Sequence, residues 1–561
     1  MVYRISTDLA NTNEKVYIYE SDKQKIPLNS LYSPEKEIER FLKKLAETKK
    51  QFVILIGFGN GKLLEKILES EIFEQNIHFL FIEPFIEVEL SEFHRILLSK
   101  TNKISFLYAD NLTSILFADF LSKFIGIGVT IQFHPNYMKL NELKVKKILE
   151  VINEGIETKQ VINNTEIKFA KDWILEPIAN INSISNSINL KELQGKFKGE
   201  RALLIASGPS LNTHMDFIRE NQEGFYLFAL GPSLRALLTN DIVPDYTLSI
   251  DSSAVNYETH FSGLEYNGTL IYETVSNSYI QKNHKGPLIA VKSPADHITS
   301  SIFPNLVSFE KASPSVAVFT LQVINYLGFS EVYFVGQDLA LIDGNYYAKG
   351  IKQHDGSKNV KQELTVEDNQ GKQVGTTQSL KIFLETFEYV IKNLRKDLKL
   401  FNLSTKGAKI EGVRFIEESM VKTNIEKKII DIQMEDRVLA NIDPDIFFNE
   451  FVLELRSLKK DVNVALTNLN RYLKMGVANS KDMEKILKEY RKITGNKVLE
   501  EILLSYLTFL FKRITNTFKL MDNKKNYLSK DLLEIIKELD RFYSIIFSFS
   551  DGLLKDNRLN R

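Results

Sequence analysis

The chain contains no cysteine, which excludes disulfides, thiolate metal sites and a cysteine nucleophile. An excess of one charge is also missing. Lys and Arg number 72 and Asp and Glu 72, so net charge gives no reason to expect a nucleic-acid partner. Met1 to Leu9 lacks the basic start and apolar core of a secretory leader. No apolar stretch reaches the roughly 18–20 residues that a membrane-spanning helix needs. These absences predict a cytoplasmic protein without a membrane span. Tryptophan occurs once, in Phe169-Ala170-Lys171-Asp172-Trp173, and a lone Trp reads as a packing anchor. What is present in quantity is length: 561 residues, 43% of them hydrophobic, exceed a single core, and about three domains are expected.

The chain is organised around Ala202 to Asp251. Ala202-Leu203-Leu204-Ile205-Ala206 is an uncharged apolar run, as in a strand buried on both faces. It stops at Ser207-Gly208-Pro209-Ser210, where Gly permits a tight turn and Pro suits the start of a helix; Leu211 onward reads as that helix. A second run, Tyr226 to Leu230, ends in Gly231-Pro232-Ser233 and leads into Leu234 to Leu238. A third, Tyr246 to Ile250, ends in Asp251-Ser252-Ser253. Backbone N–H groups and a helix N-terminus in such a turn suit an anion, and serine hydroxyls add donors. A simple helix cap explains a single copy as well. An acid at a strand's carboxyl end lies where open α/β sheets bind ligands, so a nucleotide or sugar nucleotide is the expected ligand.

These blocks resemble a known family. Ala206-Ser207-Gly208-Pro209-Ser210-Leu211, Ile242-Val243-Pro244-Asp245-Tyr246 with Ser249-Ile250-Asp251, and Phe334-Val335-Gly336-Gln337-Asp338-Leu339-Ala340 are similar in order and spacing to the motility-associated factor (Maf) proteins. That resemblance implies a flagellin glycosyltransferase moving a nonulosonic acid, pseudaminic or legionaminic, from CMP to flagellin Ser or Thr. The implied central domain is similar to bacterial sialyltransferases. The resemblance also implies flagellin and a CMP-nonulosonic acid as partners, and no cofactor or metal beyond the CMP-activated donor.

Before this region, Pro34 to Lys49 reads as an amphipathic helix presenting Ile38, Phe41, Leu42 and Leu45. Gln51 to Ile56 and Ile77 to Ile82 read as buried strands. The first ends in Gly57-Phe58-Gly59-Asn60-Gly61, before a helix from Lys62 to Ser70, and the second ends at Glu83. A glycine-rich turn followed by a strand-end acid is Rossmann-like, and resembles the adenosylmethionine turn of methyltransferases. Asp110, after Ser105 to Tyr108, stands where an adenine-contacting acid belongs in that scheme. No methyl-acceptor pocket is recognisable downstream, Maf-like proteins carry the same turn, and a structural or degenerate site is the favoured reading.

After Asp251, strands are expected near Thr269 to Tyr272, Leu288 to Val291, Glu331 to Val335 and Leu398 to Asn402. Lys311 to Ala317 supplies Ser313 and Ser315 ahead of a helix through Tyr326; the family has a glycine- and serine-rich turn there, and an N-cap by Ser313 explains it almost as well. Glu331 to Val335 ends in Gly336-Gln337-Asp338, a second strand-end acid beside a Gln that both donates and accepts. Leu341 to Gln378 reads as a long loop of the kind that is either functional or disordered, with a lid over acceptor or donor as the attractive reading. Relatives place a His behind the Asp-Leu-Ala block; here Gly344-Asn345-Tyr346-Tyr347-Ala348 puts Tyr347 in its place, with His354 a few residues on. Asn402-Leu403-Ser404-Thr405-Lys406-Gly407-Ala408 to Gly412 resembles the block closing the family's catalytic domain, with Lys406 for one Gly. From Val413, apolar residues recur at helical spacing.

The resulting fold class is α/β in four segments: a Rossmann-like amino-terminal domain (1–138), a helical linker (139–195), a central sialyltransferase-like α/β domain (196–412) and a carboxy-terminal helical bundle (413–561). Under the resemblance, Ser207, Gly208, Pro209, Ser210, Gly231, Ser313, Ser315 and Gln337 hold the donor nucleotide. Asp251, Asp338, Tyr347 and His354 are the catalytic candidates, and the identity of the base stays open between the acids. Tyr346 and Tyr347 are candidates for donating to the leaving phosphate. Alternatives are an ATP-dependent transferase like the archaeal hydroxymethylpterin diphosphokinase, which shares the Gly-Pro-Ser and Pro-Asp blocks, and a non-catalytic flagellin-binding or chaperoning protein.

Overall fold

A computed structural model describes residues 3–49, 51–124, 127–140, 143–309, 315–351, 362, 364–423, 425–430, 437–476, 480–508, 514 and 529–559. Ser313 and His354 lie outside the described residues. The chain divides into two compact units, Met1–Thr165 with Thr508–Phe542, and Glu166–Leu507 with Tyr543–Arg561. The four sequence segments thus meet a partition in which stretches distant in sequence share a unit.

In the first unit, strands β1 (Tyr3–Leu9), β2 (Lys15–Ser21) and β3 (Gln24–Pro27) form an antiparallel sheet. The helix Pro34–Leu45 follows, with Ser33 accepting from Lys36 N–H, Pro34 in the first turn, and Ile38, Phe41 and Leu45 buried. Strands β4 (Gln51–Ile56), β5 (His78–Glu83), β6 (Ile104–Tyr108) and β7 (Gly128–Phe133) build a parallel sheet in the order β6-β5-β4-β7. Five of the six β4 residues are buried, because helices cover both faces of a parallel sheet.

Among the described residues the second unit is built on nine parallel strands. They are β8 (Ile188–Asn189), β9 (Arg201–Ile205), β10 (Tyr226–Leu230), β11 (Tyr246–Ser249), β12 (Thr269–Glu273), β13 (Leu288–Val291), β14 (Glu331–Val335), β17 (Lys399–Asn402) and β18 (Arg414–Phe415). Their order is β18-β17-β14-β9-β10-β11-β12-β13-β8. From β9 the chain steps outward through β10 to β13, then returns to the other side of β9 with β14. That reversal makes the carboxyl ends of β9 and β14 a topological switch point, where open α/β sheets form a crevice. Along β9 the side chains alternate between two cores. Ala202 and Leu204 join one with Phe228 and Phe334, and Leu203 and Ile205 join the other with Leu227 and Val335.

The apolar runs of the sequence therefore locate β9 to β14 and β17 to within a residue or so, whereas the two-residue strands β8 and β18, which fall in stretches expected to be helical, carry no such run. Two expectations are corrected. Leu211 does not start an α-helix: Pro209–Thr213 is a 3₁₀ turn, and the α-helix is the short Met215–Asn221. The loop from Leu341 also contains secondary structure, the hairpin β15 (Leu364–Glu367) and β16 (Gln373–Thr376). Its turn is fixed by Asp368, whose Oδ1 accepts from Gln370 and Lys372 N–H at 2.8 Å each. Beyond β18 the expected helices appear at Pro444–Met475, Ser480–Thr494 and Ser529–Leu554. No helix among the described residues is long and apolar enough to cross a membrane.

Candidate functional site

At the switch point the turn after β9 is bonded to the end of β14. Ala206 N–H donates to Val335 O and Gly208 N–H to Gly336 O, both at 2.8 Å. Ser210 N–H donates to Asp338 Oδ2 at 2.8 Å. A Cβ on Gly208 would lie 2.5 Å from both Asp338 Oδ2 and Gly336 O, so glycine is required by the closeness of approach. Gly336 has φ 68° and Leu339 φ 51°; the second is a backbone conformation that costs a β-carbon residue energy and is held by its surroundings.

Asp338 is the hub of this arrangement. It is 2% exposed, and its other oxygen accepts from Ser404 Oγ at 2.5 Å. Ser404 Oγ in turn accepts from Gly407 N–H at 3.0 Å, and Ala408 N–H donates to the Asp338 carbonyl at 2.7 Å. Burial raises its carboxyl pKa above the usual range, opposed by the hydrogen bonds from Ser210 and Ser404. Both carboxylate oxygens are therefore engaged in holding β9, β14 and the segment after β17 together.

The turn consequently does not present its N–H groups as an anion cradle in the expected way. Those of Gly208 and Ser210 are engaged within the protein, and Pro209 has none. Among the described residues the half-buried Ser207 hydroxyl makes no hydrogen bond, while Ser207 O accepts from Ala348 N–H at 2.9 Å. That bond brings Tyr346 and Tyr347 to the same turn. Their rings are 4.7 Å apart, and burial raises both phenol pKa values, so both hydroxyls stay protonated donors. Gln337 is buried beside Asp338.

The second Gly-Pro-Ser turn differs from the first. It opens the helix Gly231–Thr239 directly, and Ser233 Oγ lies within 2.8 Å of both Ile205 O and Leu230 O, turned into the sheet. A Cβ on Gly231 would come within 2.9 Å of the Phe261 ring, so this glycine admits an aromatic side chain. Ser315 caps the helix Val316–Leu327, accepting from Val318 N–H at 3.4 Å; the cap expected at Ser313 falls outside the described residues, and Ser315, expected among the nucleotide-binding hydroxyls, is the residue that caps.

Asp251 contrasts with Asp338. It is exposed at the carboxyl end of β11, with Oδ1 accepting from Ser253 N–H at 2.8 Å. Its carbonyl is held by Asn277 N–H at 3.0 Å and Asn256 Nδ2 at 3.2 Å. Asn256 Nδ2 also donates to Ser249 Oγ at 3.0 Å, which pairs with Ser276 Oγ at 2.7 Å. Asn277 Nδ2 donates to Ser252 O at 3.1 Å and to Glu176 Oε1 at 3.3 Å, and Glu176 Oε2 accepts from Ser278 N–H at 2.7 Å. Arg558 then joins Glu176 at 2.7 Å and Asp172 at 2.9 Å. The carboxy-terminal segment thus buttresses the rim that carries Asp251.

Sequence reading missed this second layer. Glu273 is a further strand-end acid, buried, accepting from Ser293 Oγ at 2.7 Å and pushed by burial up to about 7. Ser404 stands in the block resembling the family's closing motif, where nothing in the sequence singled it out as the partner of Asp338. Lys406 replaces a glycine without strain because its φ is not positive.

The glycine turn of the first unit is filled by its own side chains. Gly57, Gly59 and Gly61 have φ 99°, 59° and 86°, and a Cβ on them would meet Tyr137 at 2.5 Å, Asn29 at 2.4 Å and His94 at 2.2 Å respectively. Glu83 is fully buried, accepting from Phe58 N–H and Tyr137 Oη at 2.7 Å and from Phe85 N–H at 3.0 Å. Desolvation pushes its pKa up to about 7. In a ribose-binding acid the carboxylate faces the ligand; here it faces the turn, in line with a structural role. Asp110 is exposed, 3.8 Å from Lys144 Nζ.

Residues 176–344 match the family model described as 6-hydroxymethylpterin diphosphokinase MptE-like. An uncharacterised protein of Treponema pallidum (strain Nichols) is 23% identical over 123 residues, 22% of this chain and 58% of that protein; the match thus spans little more than half of that relative's length. The solved structure of a Maf glycosyltransferase from Magnetospirillum magneticum AMB-1 superposes with a TM-score of 0.55 at 13% identity, covering 99% of this chain and 94% of that one. The central segment thus resembles MptE-like proteins in sequence, the chain shares the fold of a Maf glycosyltransferase over nearly its whole length, and together these findings support the resemblance to the Maf family read in the Gly-Pro-Ser, Pro-Asp and Gly-Gln-Asp blocks.

Proposed function

We propose that the chain is a glycosyltransferase that moves a nonulosonic acid from a CMP-activated donor to a Ser or Thr hydroxyl of flagellin. The observation that carries this reading is the division of labour between the strand-end acids. Asp338 locks the Ser207–Ser210 turn against β14, and Asp251 stands exposed at the rim two strands from β9 and three from β14. In the reaction, the bond from the anomeric carbon to the CMP phosphate oxygen breaks, and its electron pair leaves with the phosphate. The acceptor oxygen bonds to that carbon and gives its proton to a base. Asp251 is the acid with access to do this, and Ser207, Tyr346 and Tyr347 are the donors grouped for the departing phosphate. The whole-chain fold match supports a Maf-type activity over one confined to 176–344.

The second reading follows the family model of the central segment and transfers pyrophosphate from ATP to a hydroxymethylpterin. The test is to incubate the protein with CMP-legionaminic or CMP-pseudaminic acid and purified flagellin, and in parallel with ATP, magnesium and 6-hydroxymethylpterin. A flagellin mass increase that is lost in Asp251→Asn supports the first reading. Pterin diphosphate formation without any flagellin mass change would replace it.

A further inference from the structure

We propose that Tyr257 and Tyr279 form the platform on which the polypeptide acceptor is held beside Asp251, an inference that rests on the glycosyltransferase reading. Tyr279 is 59% exposed, and its ring lies 5.8 Å from that of the half-buried Tyr257, tilted by 31°. The two come from different strand ends. Tyr257 follows β11 and opens the π-helical turn Tyr257–Phe261; Tyr279 lies in the first turn of the helix Ser278–Asn283 after β12. π-Helical turns are uncommon and concentrate at functional positions.

Both tyrosines are tied to the backbone of Asp251. Asn256, the residue before Tyr257, donates to the Asp251 carbonyl through Nδ2. Asn277 donates to the same carbonyl through its N–H, and its Oδ1 accepts from Tyr279 N–H at 3.2 Å. Phe261, at the far end of the π turn, packs on Gly231. The rings and the carboxylate are thus parts of one preorganised rim, and exposed tyrosines on a rigid rim contribute large contact area at low entropic cost.

The occupant follows from the chemistry of the neighbour. Asp338 is sealed, so the acceptor hydroxyl has to approach the exposed Asp251, and an approaching polypeptide covers what flanks that acid. Val255, 44% exposed, lies on the same segment and extends the apolar surface. On the glycosyltransferase reading, a nucleotide donor at the β9–β14 switch point has its phosphate near Ser207. That leaves the outer rim at β11 and β12 to the acceptor.

Two reactions of one donor are thereby separable. Transfer to flagellin uses the platform; hydrolysis of the CMP-sugar by water does not. In Tyr279→Ala and in the Tyr257→Ala/Tyr279→Ala pair, KM for flagellin should rise about 10-fold or more, while CMP release by hydrolysis and CMP binding stay at wild-type values. Tyr279→Phe, which keeps the ring, should restore most of the transfer. Unchanged KM for flagellin in both variants overturns the platform while leaving the glycosyltransferase reading intact. A parallel loss of hydrolysis and CMP binding also overturns it, by placing the tyrosines in the donor site. A wild-type protein that neither hydrolyses CMP-legionaminic or CMP-pseudaminic acid nor transfers from it overturns both.

Discussion

Replacing Asp338 should damage the fold, and replacing Asp251 should damage the chemistry. In Asp338→Ala, Ser210 N–H and Ser404 O–H lose their acceptor inside a region that is almost fully buried. Each buried donor left unpaired costs about 1–3 kcal/mol. Removing a carboxylate whose pKa is raised by burial returns part of its desolvation. The net expectation is a loss of about 2–4 kcal/mol. Asp338→Asn keeps the shape, with the amide oxygen accepting from Ser210 and the amide nitrogen facing a Ser404 hydroxyl free to rotate; about 1 kcal/mol is expected. Asp251→Asn is an exposed change and should stay within about 0.5 kcal/mol while lowering transfer roughly 100-fold or more. Trp173, the sole tryptophan, belongs to the unit that contains both acids, so urea unfolding followed by its fluorescence reports that unit. An Asp338→Ala midpoint equal to wild type would refute the assignment of Asp338 as the lock. So would an Asp251→Asn midpoint lowered as far as that of Asp338→Ala.

Gly208→Ala puts a Cβ 2.5 Å from two oxygens of β14's end, which forces the turn to move; CMP affinity and the urea midpoint should both fall, and a variant indistinguishable from wild type would contradict the described packing. Glu83 holds in the folded state, up to about pH 7, a proton that the unfolded chain releases near its ordinary 4.5. Its contribution therefore falls as pH rises from about 4.5 to about 7, by about 3 kcal/mol, and is constant above that. Hydrogen-exchange protection of the β4 and β5 amides should show this slope in wild type and lose it in Glu83→Gln; an equal slope in both would count against it. Arg558→Ala removes the cation facing Glu176, Asp172 and Asp556; it should lower the urea midpoint and raise KM for flagellin, since Glu176 holds Ser278 beside Tyr279. Full activity with an unchanged midpoint would show that this buttress is not needed.

How much of this was legible depended on the range of the interactions. Runs such as Ala202 to Ala206 and Glu331 to Val335 announce buried parallel strands because both faces are covered, so no alternation is needed to see them. The Ser207–Ser210 turn and Asp338 were also legible, as local signals at strand ends. What the turn does with its N–H groups was not: their acceptors, Gly336 O and Asp338, lie more than a hundred residues away in the chain, and only the β9–β14 adjacency brings them together. The same applies to the two Gly-Pro-Ser turns, alike in sequence but set apart by Asp338 in one and Phe261 in the other. Glu83 stands where a ribose-binding acid would, and the favoured structural reading had no partner to name for it; that partner is Tyr137, far along the chain. Tyr257 and Tyr279 carried no motif at all. Their meeting depends on β11 and β12 being neighbours and on two asparagines that sequence treats as ordinary loop residues.

The glycosyltransferase reading requires the β9–β14 switch point to take a CMP-activated sugar. Its most direct test is calorimetric titration of the purified chain with CMP, beside ATP and adenosylmethionine. Saturable CMP binding that disappears in Gly208→Ala is expected, with no heat from adenosylmethionine because Tyr137, Asn29 and His94 fill the glycine turn of the first unit. Binding of ATP with silence towards CMP would contradict it and pass the site to the pyrophosphate-transfer reading.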